Sequence, residues 1–406
     1  MKILHTADWH IGKILHKHSL KDEMEAFFDW LIETIISENV DLLLVSGDIF
    51  DLSNPSIKDK ETYYKIIMRL YETGCRVIIT GGNHDSVGEL NAPKEILSAI
   101  NITVIGGAMA NPEDEIIEIY NDQKEIELII AATPFLRDRD IRSKQEGEVY
   151  ESRAEAIREG IKKHYETLAD ICSQNYPKTP AIAMGHLYAQ GAKSSESERD
   201  IHVGNQAAVE SQVFSKVFDY VALGHIHSPQ IVDAQQRIQY SGSPIALSFS
   251  EKMDEKGVLL LELENQVITT IKKLHTPKNR ELIKFSGNYE EVKTALENYK
   301  PDYKFPSFVE MEVNENEFSA IMLSKVEELA NFYLENKHFR ILKHRTNFSN
   351  VVQDTSDLFE QGVSIEDLKP IDIFHRKLDT EDIEEETRQL LSSAFIELLE
   401  EIQNAN

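Results

Sequence analysis

Residues 41–51 read DLLLVSGDIFD, and this stretch decides the fold. Its first part, residues 42–45, is a short apolar run, which is typical of a strand buried on both faces of a parallel sheet. A Ser-Gly pair ends the run, and Asp48 follows where the strand should leave the sheet. Ligands bind at that carboxyl edge in open α/β sheets, and a carboxylate there can contact two cations at once. The alternative is that Gly47 and Asp48 form only a turn that closes the strand.

Other predicted strands end in the same kind of residue. The first strand runs into DWH, whose Asp8 and His10 are two residues apart and therefore on the same side of an extended backbone. The strand over residues 76–80 delivers GGNHD, and two later apolar strands run into GH and GHIH. The side chains able to bind metal at these strand ends are Asp8, His10, Asp48, Asn83, His186, His225 and His227.

This set of donors predicts a site for two cations. Two ions about 3.5–4 Å apart can clamp the attacking and leaving oxygens of a phosphoryl transfer. Imidazole and carboxylate ligands without thiolate suit Mn, Fe or Zn better than Ca or Mg. A single histidine after a strand is usually structural, but the repetition at successive strand ends favours the metal interpretation.

His84 lies beside Asn83 and should point elsewhere along the backbone. An unligated histidine beside two cations can protonate a leaving alkoxide or stabilise the transition state. Asp51, three residues beyond Asp48, is the predicted partner that orients His84. The alternative is that His84 only supports a metal ligand.

Bulk composition bounds the class of protein. The 406 residues are enough for two or three domains. No apolar run reaches membrane-spanning length, and the chain starts directly with a strand rather than a signal peptide. Cys75 and Cys172 lie outside any C-x-x-C motif, which predicts two free thiols in a reducing cytoplasm.

The formal net charge of −27 argues against tight binding of nucleic acid without help, because phosphate backbones select for basic surfaces. Net charge does not decide the charge of one groove, however, and bound divalent cations add positive charge. Two basic loops, residues 12–18 and 137–144, are candidate phosphate contacts, although such loops are more often merely solvated. Their DNA-contact candidates are Lys13, His16, Lys17, Arg137, Arg139 and Arg142.

The metal-type motifs stop near Thr276, where we place a domain boundary. Residues 276–346 repeat strands and helices as a small domain, and the apolar–acidic alternation of residues 308–313 predicts a strand with one exposed face. Residues 347–363 are a predicted tether. Residues 364–406 are a predicted helical tail whose apolar stripe either binds a partner or folds back on the first domain. The partner-binding candidates are Ile373, Phe374, Leu390, Leu391, Phe395, Leu398 and Ile402.

The motifs DWH, GDIFD, GNHD, GH and GHIH, in this order, resemble the calcineurin-like metallophosphoesterase superfamily. The narrower resemblance is to bacterial nucleases of the double-strand-break repair family, through GNHDS at residues 82–86, SESER at 195–199 and YSGSP at 240–244. It covers about the first 275 residues, and beyond them only the layout agrees. The implied fold is α/β: a metallophosphoesterase sandwich of two mixed sheets flanked by helices, with a small α+β capping domain and a C-terminal helical tail.

The resemblance also implies a domain division and roles for individual residues. The division is into a nuclease domain over 1–275, a capping domain over 276–346, a tether over 347–363 and an ATPase-binding tail over 364–406. It implies His84 as the catalytic histidine with Asp51 as its partner. One Mn²⁺ would be held by Asp8, His10, Asp48 and His227, and the other by Asp48, Asn83, His186 and His225, with Fe²⁺, Zn²⁺ or Mg²⁺ as substitutes.

The function expected from the resemblance is a Mn-dependent DNA nuclease subunit of the cytoplasm. It would act as an exonuclease on duplex ends and, with an SMC-type ATPase that binds the tail, as an ATP-dependent endonuclease on hairpins. The expected processes are DNA repair, recombination and replication, and the expected state is a homodimer through the nuclease domain. The alternatives are a phosphatase or small-molecule phosphodiesterase of the same superfamily, and a module whose metals serve only a scaffold.

Overall fold

A computed structural model describes residues 1–141, 153–193, 195, 198, 201, 208–317, 319–334 and 336–349, and Phe374, Leu378, Arg388, Leu391, Ser392, Ala394 and Phe395 of the C-terminal segment. The chain divides into two compact units. The first contains Met1–Val313 and Lys325–Arg345, and the second contains Asn314–Ser324 and Thr346–Asn406. No helix within the described residues is both long and apolar enough to cross a bilayer.

The strands of the described residues are, in chain order, β1 (Lys2–Thr6), β2 (Ile14–Leu15), β3 (His18–Ser19), β4 (Leu42–Ser46), β5 (Arg76–Thr80), β6 (Ile102–Ile105), β7 (Ile116–Tyr120), β8 (Ile126–Ala132), β9 (Ala181–His186), β10 (Tyr220–Gly224), β11 (Gln230–Ile231), β12 (Ile238–Tyr240), β13 (Gly257–Glu264), β14 (Val267–His275), β15 (Leu282–Gly287), β16 (Ser307–Glu315) and β17 (Phe339–Phe348). The helices are α1 (Lys21–Glu38), α2 (Ile57–Thr73), α3 (Val87–Asn91), α4 (Lys94–Ser98), α5 (Asp138–Ile141), α6 (Arg153–Asn175), α7 (Tyr289–Asn298) and α8 (Ala320–Phe332), with short 3₁₀ turns at Pro112–Glu115, Ser211–Val213 and Phe249–Glu251.

Two six-stranded sheets form the body of the first unit. One has the order β14-β13-β1-β4-β5-β6, and the other has the order β11-β12-β10-β9-β8-β7. Both are mixed sheets, because β1, β4, β5 and β6 pair in parallel while β13 pairs antiparallel to β1, and β7 and β11 pair antiparallel in the second sheet. The predicted sandwich of two mixed sheets is confirmed.

The sandwich has three layers of apolar packing. The inner faces of the two sheets meet through residues such as Leu42, Leu44 and Ile182, all fully buried. The outer face of the first sheet packs on α1 and α2, and the outer face of the second packs on α6. Strand β4 is therefore buried on both faces, as its continuous apolar run predicts.

Helix α2 shows how local sequence sets an element. A capping box between Ser56 and Asp59 satisfies the first free backbone N–H groups, and the left-handed Gly74 at φ 77° ends the helix. Its apolar positions, among them Ile66 and Leu70, face the sheet. The sequence pattern predicts a helix over residues 57–73 and strands over residues 76–80 and 257–264, and these bounds of α2, β5 and β13 are confirmed to the residue.

Strand β14 is missing from the predictions. It pairs antiparallel with β13 and forms the edge of the first sheet. Its mixed, largely half-exposed side chains give no clear apolar alternation. The basic loop at residues 12–18 contains the small hairpin of β2 and β3, and the second basic loop begins with α5.

Strand β16 corrects a prediction. The order of the third sheet is β15-β16-β17, so β16 is its central strand. Glu310 and Glu312 are buried, not exposed, because basic side chains of the flanking strands cover them. Lys284 Nζ lies 2.9 Å from Glu312, and Lys343 Nζ lies 3.4 Å from Glu310. The alternation is present as predicted, but the acidic face is ion-paired rather than open to solvent.

The first two residues of the predicted tether belong to β17, whereas the tether beyond residue 349 and most of the predicted tail lie outside the described residues, including Ile373, Leu390, Leu398 and Ile402. Within the second unit the rings of Phe374 and Phe395 stack at 4.0 Å with an interplanar angle of 5°. Leu391 is 41% exposed. Two of the predicted partner-binding side chains therefore contact each other, and a third faces solvent.

Candidate metal centre

The predicted ligands come together at one edge of the sandwich. Strands β1, β4 and β5 of the first sheet and β9 and β10 of the second end at this edge, in parallel with their neighbours in their own sheets. Six of the side chains are buried almost completely, and Asn83 is half-buried. The structure thus brings together every candidate named above: Asp8, His10, Asp48, Asn83, His186, His225 and His227.

The backbone of this edge adopts an unusual conformation. Asp8, His10, Asp48 and His225 have φ values of 54°, 47°, 50° and 99°, in the left-handed region that residues with a side chain rarely occupy. Backbone hydrogen bonds hold the first two, since Asp8 N–H donates to the Gly47 carbonyl and His10 N–H donates to the Asp48 carbonyl, both at 3.0 Å. Such conformations carry strain and cluster at functional sites.

Two glycines allow the sheets to approach at this edge. Gly47 has φ 85°, and a Cβ there would lie 2.2 Å from His186 Nδ1. A Cβ at Gly224 would lie 1.9 Å from the backbone oxygen of Ser46. Because Ser46 and Gly224 end strands of different sheets, both glycines are needed for the strand ends to share one site.

Asp48 occupies the middle of the cluster. Its Oδ2 lies 3.5 Å from His10 Nε2 and 3.4 Å from His186 Nε2. Asn83 Oδ1 lies 2.9 Å from His186 Nε2 and 3.2 Å from His225 Nδ1. Asp48 is therefore placed between two groups of donors, as a ligand shared by two cations would be.

The histidine rings are oriented by oxygen atoms on their outer sides. His10 Nδ1 lies 3.2 Å from Asp51 Oδ1, and His186 Nδ1 lies 3.0 Å from the Ser46 carbonyl. These oxygens accept, so each Nδ1 carries a proton and Nε2 is the nitrogen that remains to bind a cation. His227 has the same arrangement, with Glu251 Oε1 3.4 Å from its Nδ1.

The Nε2 atoms of His10 and His227 lie only 3.1 Å apart. Two lone pairs at that distance repel each other unless a cation lies against both. Asp8 Oδ2 and His225 Nε2 are also buried, and neither has a hydrogen-bond partner within the described part of the chain. Buried polar atoms without hydrogen-bond partners destabilise a folded protein, and a bound cation would give these atoms a partner. The donor set therefore fits a bound cation.

The electrostatics of the cluster also favour a cation. Burial raises the pKa of Asp8 to about 7. Burial would also raise the pKa of Asp48, but the His186 and His10 imidazoles hold it well below its usual range. Burial would lower the pKa of His186, yet the Asp48 carboxylate raises it to about 9. Burial and the nearby His186 charge hold the pKa of His225 well below its ordinary value, so its ring is neutral.

His84 contacts Asp51, and the contact is made through the backbone of Asp51. Its Nδ1 donates to the backbone carbonyl of Asp51 at 2.6 Å. The Asp51 carboxylate instead faces His10 Nδ1 and Lys13 Nζ, the latter at 3.1 Å, because both offer protons. The structure therefore pairs Asp51 with His84, as predicted, through the backbone carbonyl, while the Asp51 carboxylate orients His10.

His84 itself lies close to the cluster. Its backbone N–H donates to Asp48 Oδ1 at 2.9 Å, and its ring packs edge-to-face on His10 with the centroids 4.7 Å apart. With Nδ1 committed to a carbonyl, Nε2 is the nitrogen that can exchange a proton.

Asp85 is a residue beside the cluster that the sequence reasoning missed. Its buried carboxylate accepts the backbone N–H groups of Ile49, Phe50 and Gly82 at 2.8–3.1 Å. It thereby joins the loop after β4, which carries Asp48, to the loop after β5. Its place in the GNHD motif was a signal that could have found it.

Residues around His227 were also missed. Glu198 Oε1 accepts the His227 backbone N–H at 2.8 Å, so this residue of the SESER motif contacts the site. Glu251 and Lys256 lie against His227 from the other side. Burial would raise the pKa of Glu251, but the hydrogen bond from His227 and the Lys256 ammonium hold it below its usual range. No local pattern marks Glu251 or Lys256 in the sequence.

The DNA-contact candidates differ in their surroundings: some are paired with residues near the cluster, and others are exposed to solvent. Lys13 pairs with Asp51 beside the cluster, and an Arg137 nitrogen donates to the Asp85 carbonyl at 2.8 Å. His16 and Lys17 are exposed in the β2–β3 hairpin, and the side chain of Arg139 is 74% exposed. Arg142 lies outside the described residues.

Comparison with known proteins gives a consistent set of relatives. Residues 1–229 match the family described as calcineurin-like phosphoesterase. The SbcD component of the SbcCD nuclease of Escherichia coli K12 is 31% identical over 401 residues, which are 97% of this chain and 97% of that protein. The proteins of the same name from Rhodobacter capsulatus and Bacillus subtilis are 35% and 29% identical, over 65% and 71% of this chain and 66% and 72% of their own lengths. A solved β-glucosidase from Exiguobacterium marinum aligns over 85% of this chain and 88% of its own, but its TM-score of 0.23 and 9% identity are too low to indicate a shared fold.

Proposed function

The chain belongs to the calcineurin-like phosphoesterase family, within the group of SbcD nucleases, and from this membership we propose that it hydrolyses DNA phosphodiesters at the histidine–aspartate cluster. The observation that carries this proposal is the 3.1 Å approach of His10 Nε2 and His227 Nε2, with Asp48 between His10 and His186. Such an arrangement of lone pairs and carboxylates suits two divalent cations. Many phosphoryl-transfer enzymes use two metal ions in this way.

Mn²⁺ is the cation proposed, because imidazole and carboxylate ligands without thiolate suit it. One ion is assigned to Asp8, His10, Asp48 and His227, and the other to Asp48, Asn83, His186 and His225. The buried Asp8 Oδ2, which has no hydrogen-bond partner among the described residues, supports this assignment. When bound, the cations would supply Lewis-acid charge to the phosphodiester and promote ionisation of the attacking water.

His84 is assigned the proton transfer. Its Nδ1 proton is held by the Asp51 carbonyl, so a protonated ring donates from Nε2 to the DNA oxygen that leaves phosphorus. Edge-to-face contact with His10 keeps the ring beside the cluster. Asp51 contributes twice, because its carboxylate orients His10 and its backbone carbonyl orients His84.

Double-stranded DNA ends and hairpins are the proposed substrates, with ATP-dependent hairpin cleavage in complex with an SbcC-like SMC-type ATPase. The chain spans nearly the whole length of the Escherichia coli relative, whose name states that it is one subunit of the SbcCD nuclease. The exposed His16, Lys17 and Arg139 are the best placed of the candidates for phosphate contact. The domain division at residues 276, 347 and 364 and the role of the tail in binding the ATPase are part of the same proposal.

Helix α2 supports the proposal of a homodimer through the nuclease domain. Its outward face carries Ile57, Tyr64, Met68 and Tyr71, which are 77%, 42%, 50% and 46% exposed. These positions fall on one side of a helix, and a contiguous apolar patch of this kind is typical of an interface. A cytoplasmic location is also proposed, because the free buried thiols of Cys75 and Cys172 fit a reducing compartment.

The test is hydrolysis of linear duplex DNA, hairpin DNA and a generic phosphomonoester by the purified chain with Mn²⁺. Asp48→Asn keeps the shape of the central ligand but removes its charge, so Mn²⁺ occupancy and DNA cleavage should both collapse. Glu255→Gln removes a carboxylate that is 78% exposed in a neighbouring segment and serves as the control. Normal cleavage and normal Mn²⁺ stoichiometry in Asp48→Asn would refute the assignment, and hydrolysis of the phosphomonoester alone would favour a phosphatase.

A further inference from the structure

His227 is held by a buried pair of charged residues that lies outside every motif of the site. The side chains of Glu251 and Lys256 are 0% and 8% exposed. Glu251 Oε1 lies 3.4 Å from His227 Nδ1, and Glu251 Oε2 lies 2.5 Å from Lys256 Nζ. The carboxylate therefore bridges an imidazole and an ammonium group.

The same network also holds the backbone of His227. Lys256 Nζ donates to the His227 carbonyl at 2.9 Å and to Ser243 Oγ at 3.0 Å. The Ser243 backbone N–H donates to that same carbonyl at 3.0 Å. The ring and the main chain of His227 are thus restrained together. The YSGSP segment contributes to this restraint through Ser243.

The direction of the ring follows from hydrogen-bond chemistry. A carboxylate can only accept, so Glu251 keeps the proton of His227 on Nδ1. The lone pair is then on Nε2, which is the nitrogen facing His10. If Nδ1 lost this acceptor, the other tautomer would place a proton where a cation has to bind. Carboxylate partners of this kind raise the basicity of metal-binding imidazoles and fix their orientation.

We propose that Glu251 is a positioning residue for the hydrolysis of the phosphodiester, which acts by fixing the tautomer and orientation of His227. Lys256 keeps the buried carboxylate charged and in place, since an unpaired carboxylate in the interior is strongly unfavourable. The inference rests on the proposed function, because it gives His227 the role of a metal ligand. Asp51 and His10 form the equivalent pair, at 3.2 Å, on the opposite side of the same contact.

A purely structural role is the competing explanation. Glu251 also accepts the Leu247 backbone N–H at 3.2 Å and so stabilises its own turn. Loss of that function would lower the temperature of unfolding and leave the Mn²⁺ affinity of the folded protein unchanged. The two roles therefore differ in metal binding and in the protonation pattern of one ring.

The experiment compares the full chain with Glu251→Gln and with the matched control Glu255→Gln. Mn²⁺ binding is measured by calorimetry and by electron paramagnetic resonance. In the metal-free proteins, ¹⁵N shifts of labelled histidine report which ring nitrogen of His227 carries the proton. We expect one Mn²⁺ site of Glu251→Gln to weaken by about 10–100-fold, the usual effect of losing such a partner, with a changed His227 tautomer. Glu255→Gln should match the unaltered protein.

The outcomes separate this inference from the proposed function. A wild-type chain that binds no Mn²⁺ contradicts the proposed function itself. Two Mn²⁺ ions bound equally well by the wild-type and Glu251→Gln proteins, with the same His227 tautomer, overturn only the role of Glu251. Should Glu251→Gln fail to fold, Glu251→Asp keeps the charge beside Lys256 but shortens the reach to His227. That variant should weaken one site by about tenfold, and unchanged affinity there would overturn the inference equally.

Discussion

His10 Nε2 and His227 Nε2 lie 3.1 Å apart although the two residues are separated by 217 positions in the chain. Each ring is oriented from behind by a carboxylate, Asp51 for His10 and Glu251 for His227. The first ring follows a strand of one sheet and the second follows a strand of the other. The complete site therefore depends on the close approach of the two sheets, because Asp8, His10, Asp48 and Asn83 follow strands of the first sheet and His186, His225 and His227 lie at the ends of strands of the second.

The role of His84 is tested by His84→Ala. The variant should keep two Mn²⁺ ions, because His84 is assigned to proton transfer and not to metal binding. Cleavage of DNA should slow by about 10²–10⁴-fold, the usual scale of general acid–base catalysis. Metal stoichiometry and single-turnover cleavage measure the two effects. Loss of metal in this variant would make His84 a structural or ligating residue.

Asp51→Asn separates the two contacts of Asp51. The backbone carbonyl that binds His84 stays, whereas the charge that faces His10 and Lys13 is lost. We expect a weaker Mn²⁺ site, by about 10–100-fold, with cleavage largely restored at saturating Mn²⁺. Titration of activity with Mn²⁺ checks this. A cleavage defect that high Mn²⁺ does not relieve would indicate that the Asp51 side chain acts through His84.

Mn²⁺ binding should depend on pH because of His186. The Asp48 carboxylate outweighs burial and raises the pKa of His186 to about 9, so the metal-free ring is protonated below that pH. A cation must displace that proton, and affinity should therefore rise with pH up to about 9, by at most about tenfold per pH unit for one proton. Calorimetry in buffers of different ionisation enthalpy measures the protons released. Binding at pH 7 without proton release would contradict the expectation.

Gly224→Ala probes the contact between the sheets. A Cβ would lie 1.9 Å from the Ser46 backbone oxygen, which no side-chain rotation can relieve. We expect the free energy of unfolding to fall by about 1–3 kcal/mol or more, as for other overpacked sites. Gly88→Ala is the control, since its Cβ would meet only Ser86 Oγ, at 3.8 Å. Urea unfolding of both variants measures the difference. Equal stabilities would contradict the expectation, because they would show that the strand ends can accommodate a Cβ at residue 224.

Deletion of residues 364–406 tests the proposed docking of the tail on the ATPase. Mn-dependent hydrolysis of duplex ends should be largely retained, because the cluster lies wholly within the first unit. Complex formation with an SbcC-like ATPase and ATP-dependent hairpin cleavage should both be lost. Co-purification and nuclease assays with and without ATP measure these effects. A truncated chain that still co-purifies with the ATPase, or that unfolds, would contradict the proposal.

The local pattern of the sequence determined elements such as β4, β5 and α2 and the identity of the candidate ligands, but it did not mark β14. Strand β4 was predictable because a buried parallel strand needs a continuous apolar run, and Asp48 because such a strand ends at a binding edge. The bounds of α2 were predictable from its capping box and its terminal glycine. These features depend on neighbours a few positions away, so periodicity and motif spacing contain them.

Only the tertiary structure decided how the side chains face one another. It showed that the carbonyl of Asp51 binds His84 while its carboxylate binds His10, a choice made by which proton donors the fold brings near. It buried Glu312 by placing Lys284 of a flanking strand over it. The tertiary structure also places Glu251 against His227, a contact that no sequence motif predicts. Ring orientation and charge pairing arise between distant segments, and packing of the sheets sets them rather than the order of residues.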